Sequence, residues 1–138
     1  MTDPIRVLIA DDQPLFRDGL TAMLHAADDT ELTGAATDGL LAVELALLGQ
    51  PEVVVMDLHM PGMDGIEAAR AIRAREVESG KRRMPIVALS ADVLEAGRHS
   101  CLEAGMDGFL AKPVNPTELE EMFKALFPGE EPSHIVAA

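Results

Sequence analysis

The sequence predicts an α/β domain built as a doubly wound parallel sheet, and three observations carry that expectation. Short β-type runs alternate with helix-type segments along the chain. Three of the runs, IRVLIA, EVVVM and PIVAL, are nearly continuous hydrocarbon, as parallel strands covered by helices on both faces require. No internal repeat, low-complexity tract or linker interrupts the alternation before residue 127.

Strands are expected over Ile5–Ala10, Glu31–Ala36, Glu52–Asp57, Pro85–Ser90 and Gly108–Lys112, with the second and fifth less buried. Pro14 suits the first turn of a helix, and Phe16, Leu20, Met23 and Leu24 follow at helical spacing. Asp38 is placed to cap a second helix that runs to Leu48 and stops at Gly49 and Pro51, and Asp64 to cap a third through Arg75. Asp92 can cap a fourth that closes at Gly105. Asn115 or Thr117 opens a fifth, with Leu119, Met122, Phe123 and Leu126 on one face. The final PGEEPSHIVAA has no periodicity, so one domain is expected over residues 1–127 and a mobile tail over 128–138.

Composition excludes several classes. At 138 residues, 48% hydrophobic and 25% charged, the chain suits a single globular domain rather than a disordered one. Eleven Lys and Arg against 24 Asp and Glu give a net charge of -13, which repels nucleic acid and anionic membranes alike. Neither is an expected partner. The single Cys101 forms no internal disulfide, the first residues lack the basic and apolar regions of a signal peptide, and no apolar run approaches the roughly 18 residues of a membrane span. A soluble, cytoplasmic protein is expected.

Right-handed crossovers place the crevice of such a sheet at the carboxyl ends of its strands. The first strand ends on Asp11 and Asp12, the third on Asp57, the fourth on Ser90 and the fifth on Lys112. Three converging carboxylates repel one another unless a cation joins them, and an all-oxygen site with room for water suits Mg²⁺. Lys112 adds a second positive charge and Ser90 a neutral donor, a set that fits a phosphoryl group while a carboxylate oxygen attacks phosphorus in line. Each residue alone has an ordinary explanation: Asp11, Asp12 or Ser90 as a helix cap, Lys112 as a solvated side chain. A charge after four apolar residues, as at Asp57, is harder to explain by stability.

Other chemistries on this fold fit less well. A flavin phosphate would meet the acidic ADDQP after the first strand, and neither GxxxxGK[ST] nor GxGxxG occurs. A phosphatase of the haloacid dehalogenase type needs an Asp-x-Asp pair, whereas Asp11 and Asp12 are adjacent.

VLIADD, VVVMDLHMPGMDG, IVALSA and GFLAKPV together resemble the receiver domain of two-component response regulators, the chemotaxis-regulator-like superfamily, over about residues 5–127. The resemblance implies a flavodoxin-like five-stranded sheet in the order 2-1-3-4-5 with five helices. It implies that Asp57 is the phosphoacceptor, taking its phosphoryl group from a sensor histidine kinase, a phosphotransfer protein or a small donor such as acetyl phosphate. Asp12 and Asp57 would bind Mg²⁺ directly with the backbone carbonyl of His59, and Asp11 through water. Lys112 would pair with Asp57 and then with the phosphoryl group, and Lys112–Pro113 would be cis. Ser90 would donate to a phosphoryl oxygen and Phe109 would be the switch aromatic, here replacing the commoner tyrosine. His59 and Asp92 occupy positions that tune the phosphoryl lifetime.

The implied chemistry is self-catalysed transfer and autodephosphorylation, not turnover of a separate substrate. The other reading is an unphosphorylated scaffold that keeps the fold as a protein-interaction module.

IRVLIADDQPLFRDGL resembles receivers attached to LuxR-type DNA-binding domains, whereas PIVALSA through LAKPVNPTELEEM resembles receivers of hybrid histidine kinases. No helix-turn-helix pattern follows residue 127 and Met1 lies four residues before the first strand, so a stand-alone or excised receiver is expected, with a downstream protein as its target. In GLLAVELALLG only Glu44 is charged, and Leu40, Leu41, Leu47 and Leu48 cannot all face the sheet. The exposed ones are either scattered surface leucines or a surface for a partner, a homodimer included. Arg98, Phe109 and Phe123 are candidates on the output face, and Cys101 on the fourth helix is read as packing.

Overall fold

The hydrocarbon runs form the interior of a five-stranded sheet in a computed structural model that describes residues 3–91 and 95–128. In chain order the elements are β1 (Ile5–Ala10), α1 (Pro14–Ala26), β2 (Thr30–Ala36), α2 (Gly39–Gly49), β3 (Val53–Asp57), α3 (Gly65–Ser79), β4 (Ile86–Ser90), α4 (Glu95–Glu103), β5 (Gly108–Ala111) and α5 (Pro116–Leu126). All strand pairs are parallel and the order is β2-β1-β3-β4-β5, as expected. Every residue of β3 and β4 is buried, while β2 alternates and β5 is mostly half-exposed, as their polar and glycine content foretold.

Strand alternation divides the core in two. Val7, Ile9, Val53, Val55, Val87 and Leu89 face α1 and α5, where Leu20, Leu24, Leu119 and Phe123 meet them. Leu8, Ala10, Val54, Met56, Ile86 and Ala88 face α2, α3 and α4. There the helices present alanines, Ala42 and Ala46 on α2, Ala68 and Ala69 on α3, which let the backbones approach. Cys101 belongs to this layer, 2% exposed, as its reading as a packing residue requires. Phe123 departs from expectation: at 5% exposure it serves the core and offers no surface to a partner.

Polar side chains close the helix ends. Asp38 accepts the Leu41 N–H at 2.8 Å, and Asp64 with Glu67 makes a reciprocal capping box at 2.8 and 3.1 Å. Asn115, not Thr117, caps α5 by accepting the Glu118 N–H at 2.8 Å. The α2 stop falls on Gln50, which adopts a left-handed φ of 44° before Pro51, rather than on Gly49. Helix α3 runs one turn past Arg75 to Ser79, with Glu76 buried in that added turn and Gly80 as its left-handed cap. The expected Asp92 cap and residues 129–138 of the expected tail lie outside the described residues.

Glu76 is one of several charges gathered at the amino ends of β4 and β5. Arg73 reaches Glu76 Oε1 at 2.7 Å, Asp107 Oδ2 at 2.9 Å and the carbonyls of Met84 and Gly105 at 2.9 and 2.8 Å. The carboxylates in turn accept backbone N–H groups, Glu76 from Met84 at 2.7 Å and Asp107 from Ile86 at 2.9 Å. On α2, Leu40 and Leu48 are exposed, whereas Leu41 and Leu47 pack half-buried against the core. Among the described residues no helix is long and apolar enough to cross a membrane.

Candidate functional site

The opposite rim, at the carboxyl ends of the strands, is acidic. Ala10 pairs with Met56, so the next residues, Asp11 and Asp57, leave β1 and β3 at the same level. The ladder continues past the strand ends through Asp11 N–H to the Ala36 carbonyl at 3.0 Å and Lys112 N–H to the Ser90 carbonyl at 2.9 Å. Backbone pairing thus brings Asp11, Asp57, Ser90 and Lys112 to one crevice, with Asp12 exposed at its mouth. Gly65 holds the wall close: a Cβ there would lie 2.3 Å from the Asp57 carbonyl oxygen.

Asp11 is fully buried and Asp57 is 4% exposed. One oxygen of each has a backbone donor, Asp11 Oδ1 from Gln13 N–H at 2.8 Å and Asp57 Oδ1 from His59 N–H at a long 3.4 Å. Their other oxygens face the Lys112 ammonium, which lies 2.9 Å from Asp11 Oδ2 and 3.4 Å from Asp57 Oδ2. The contact with Asp11 is an ion pair without an aligned hydrogen bond, which leaves Oδ2 a buried acceptor with unused capacity. Burial, and then the like charge of Asp11, pushes the Asp57 carboxyl above the usual carboxylate range despite the opposing pull of Lys112 and of the His59 N–H.

Asp11, Asp12 and Asp57 each bring an oxygen within 4.8 Å of the others. Three carboxylates against one ammonium, an all-oxygen donor set and the unused capacity of Asp11 Oδ2 fit a small divalent cation such as Mg²⁺. The ordinary explanations lose ground here. The cap position of α1 is Gln13, whose side chain makes no cap bond, and the Lys112 side chain is only 12% exposed. Lys112–Pro113 is cis.

Phe109 is half-buried on the sheet face shared with α2–α4, paired with Ala88, and the Arg98 guanidinium lies 5.3 Å from its ring centre. The His59 side chain is exposed, and Asp92 lies outside the described residues. Two residues stand at the crevice in a role the sequence did not suggest: Gln13 was not singled out, and Phe16 was expected only on the apolar face of the first helix. Gln13 Oε1 accepts from Lys112 Nζ at 3.1 Å, and the Phe16 ring centre is 4.2 Å from the same nitrogen. Their only sequence signal is proximity to the acid pair in DDQPLF.

Residues 7–124 match the response regulator receiver domain family. The transcriptional regulatory protein LiaR of Bacillus subtilis is 39% identical over 126 residues, covering 91% of this chain and 57% of LiaR. Among solved structures, the signal receiver domain of NarL from Mycobacterium tuberculosis matches with a TM-score of 0.84 at 33% identity, over 93% of this chain and 99% of that one. The receiver domain of the sensor histidine kinase PA1611 from Pseudomonas aeruginosa, solved with a magnesium ion coordinated in its active site cleft, matches with a TM-score of 0.77 at 34% identity, over 88% and 96%. The chain spans 52 to 60% of the length of the first curated relatives it matches. From the strand order, the acidic crevice and a family match over nearly its whole described length, the chain belongs to the receiver domains of two-component response regulators.

Proposed function

We propose that this receiver is a phosphorylation-controlled switch in which Asp57 accepts a phosphoryl group from the phosphohistidine of a sensor histidine kinase or phosphotransfer protein. The observation that carries the reading is the buried Asp57 carboxylate at the floor of an acidic crevice, with Lys112 Nζ 3.4 Å away. An Asp57 oxygen attacks phosphorus, the P–O bond forms as the P–N bond breaks, and the electron pair of that bond leaves with the imidazole. Lys112 shifts its charge from the two aspartates to the incoming phosphoryl oxygens, and the Ser90 hydroxyl donates a hydrogen bond to one of them. Asp11, Asp12, Asp57 and the His59 carbonyl would hold Mg²⁺, which when bound supplies positive charge against those same oxygens.

The domain turns over no separate substrate; water later cleaves the acyl phosphate, and His59 and Asp92 tune its access. Signalling runs through Ser90 to Phe109, whose ring turns inward toward the small Ala88 and gives up its Arg98 contact. The downstream target is a protein rather than nucleic acid, in keeping with a net charge of -13, and the setting is the cytoplasm, where Cys101 stays reduced. Intact-mass spectrometry after incubation with acetyl phosphate and Mg²⁺ tests the reading. Wild type is expected to gain one phosphoryl group and Asp57→Asn none. No gain from any donor, cognate kinases included, would leave only an unphosphorylated scaffold.

A further inference from the structure

We infer that Gln13 and Phe16 are positioning residues for Lys112, forming with Asp11 a cradle that keeps the ammonium inside the crevice; the inference rests on Lys112 acting on the phosphoryl group at Asp57. A lysine carries its charge on a flexible four-carbon stem, and ordering that stem costs about 1.5–2 kcal/mol of rotamer freedom. Left to solvent, the charge would be absent from the crevice much of the time.

Four groups surround Nζ. Gln13 Oε1 accepts a hydrogen bond from it at 3.1 Å, while Asp11 Oδ2 at 2.9 Å and Asp57 Oδ2 at 3.4 Å face it as ion-pair partners. The Phe16 ring, centred 4.2 Å away, presents a π face well inside the range over which an aromatic quadrupole attracts a cation. Both helpers are anchored through the segment that supplies the acids. The Gln13 N–H donates to Asp11 Oδ1 at 2.8 Å, its carbonyl accepts from Arg17 N–H at 3.0 Å, and the Arg17 guanidinium returns to the Asp11 carbonyl at 2.8 Å. Phe16 follows in the first turn of α1, half-buried against the α1–α5 core layer.

The chemistry of the two helpers suits a charge that must be lent out. An amide oxygen and a ring face hold an ammonium without neutralising it, so the full positive charge remains available to a second anion. A third carboxylate at the Gln13 position would bind Lys112 more tightly and compete with that anion.

Phosphorylation rates read by intact mass at rising acetyl phosphate, with Mg²⁺ fixed, test the cradle. Phe16→Leu keeps apolar volume and loses the π face; the maximal rate is expected to fall ~3- to 10-fold and to return in Phe16→Tyr. Gln13→Ala is expected to slow it ~2- to 5-fold. Mg²⁺ affinity, measured by calorimetry without donor, should stay within about twofold, since neither side chain belongs to the carboxylate cluster. A purely structural Phe16 would give no such split and no rescue by tyrosine. A second arm needs no phosphorylation: in the metal-free protein, the melting-temperature shift of Phe16→Leu should shrink when combined with Lys112→Met. Wild-type rates in Phe16→Leu, or strictly additive melting shifts, would overturn the cradle. A wild type that takes up no phosphoryl group would overturn the phosphoacceptor reading instead, with the double-mutant cycle then deciding the cradle alone.

Discussion

The Lys112 ammonium lies closer to Asp11, at 2.9 Å, than to Asp57, at 3.4 Å. One cation is therefore shared between two buried carboxylates. Removing it by Lys112→Met leaves both facing each other uncompensated, a loss of about 3 kcal/mol of stability in metal-free protein. Urea denaturation in EDTA measures it. Millimolar Mg²⁺ should restore more stability to the variant than to wild type, by mass action on the folded state.

Asp57 itself carries a pH signature. Burial and the Asp11 charge raise its carboxyl pKa from the ordinary 3.8. A carboxyl with a raised folded pKa contributes stability that is complete below the unfolded value and lost as pH rises through the folded one. In EDTA, Asp57→Asn should thus melt above wild type near neutral pH, and the gap should close as the pH falls toward ~4. A gap that widened on acidification would contradict the burial of this charge.

The strand ends and their acids were legible in the sequence because three hydrocarbon runs fix where the strands stop, and the residue after a buried strand must lie at the rim. Gln13 and Phe16 were not legible, since their role depends on where a four-carbon side chain 99 residues away from Gln13 comes to rest. The end of α3 was misplaced for a related reason. Nothing beside Glu76 in the chain marks it for burial, yet the Met84 N–H and Arg73 hold it inside. A charged residue shows its burial only through partners the sequence places far off.

Those partners provide a control on function. Arg73→Ala strips the counter-charge from the buried Glu76, leaves Asp107 with Arg83 as its ion-pair partner, and should cost about 3 kcal/mol. The network lies at the amino ends of β4 and β5, so the phosphorylation rate of the folded protein should stay within about twofold of wild type. A large fall in that rate at temperatures where the variant is folded would show the two rims to be coupled.

Gly65→Ala should lower both stability and the phosphorylation rate. Its Cβ would press against the Asp57 carbonyl oxygen at 2.3 Å and Leu58 Cα at 2.9 Å, backbone atoms that cannot rotate aside. A loss of about 2 kcal/mol by urea denaturation is expected, together with slower phosphorylation of the protein that folds.

The strand order has a mechanical consequence. β1 and β3, which carry the acids, are each hydrogen-bonded on both sides, whereas β5, which carries Phe109 and leads into Lys112, is bonded to β4 alone through four register positions. Displacing β5 breaks a single ladder, while displacing either acid-bearing strand breaks two. The anionic half of the crevice is thus built into the stiff middle of the sheet, and its lysine and aromatic ride on the margin, where movement is cheapest.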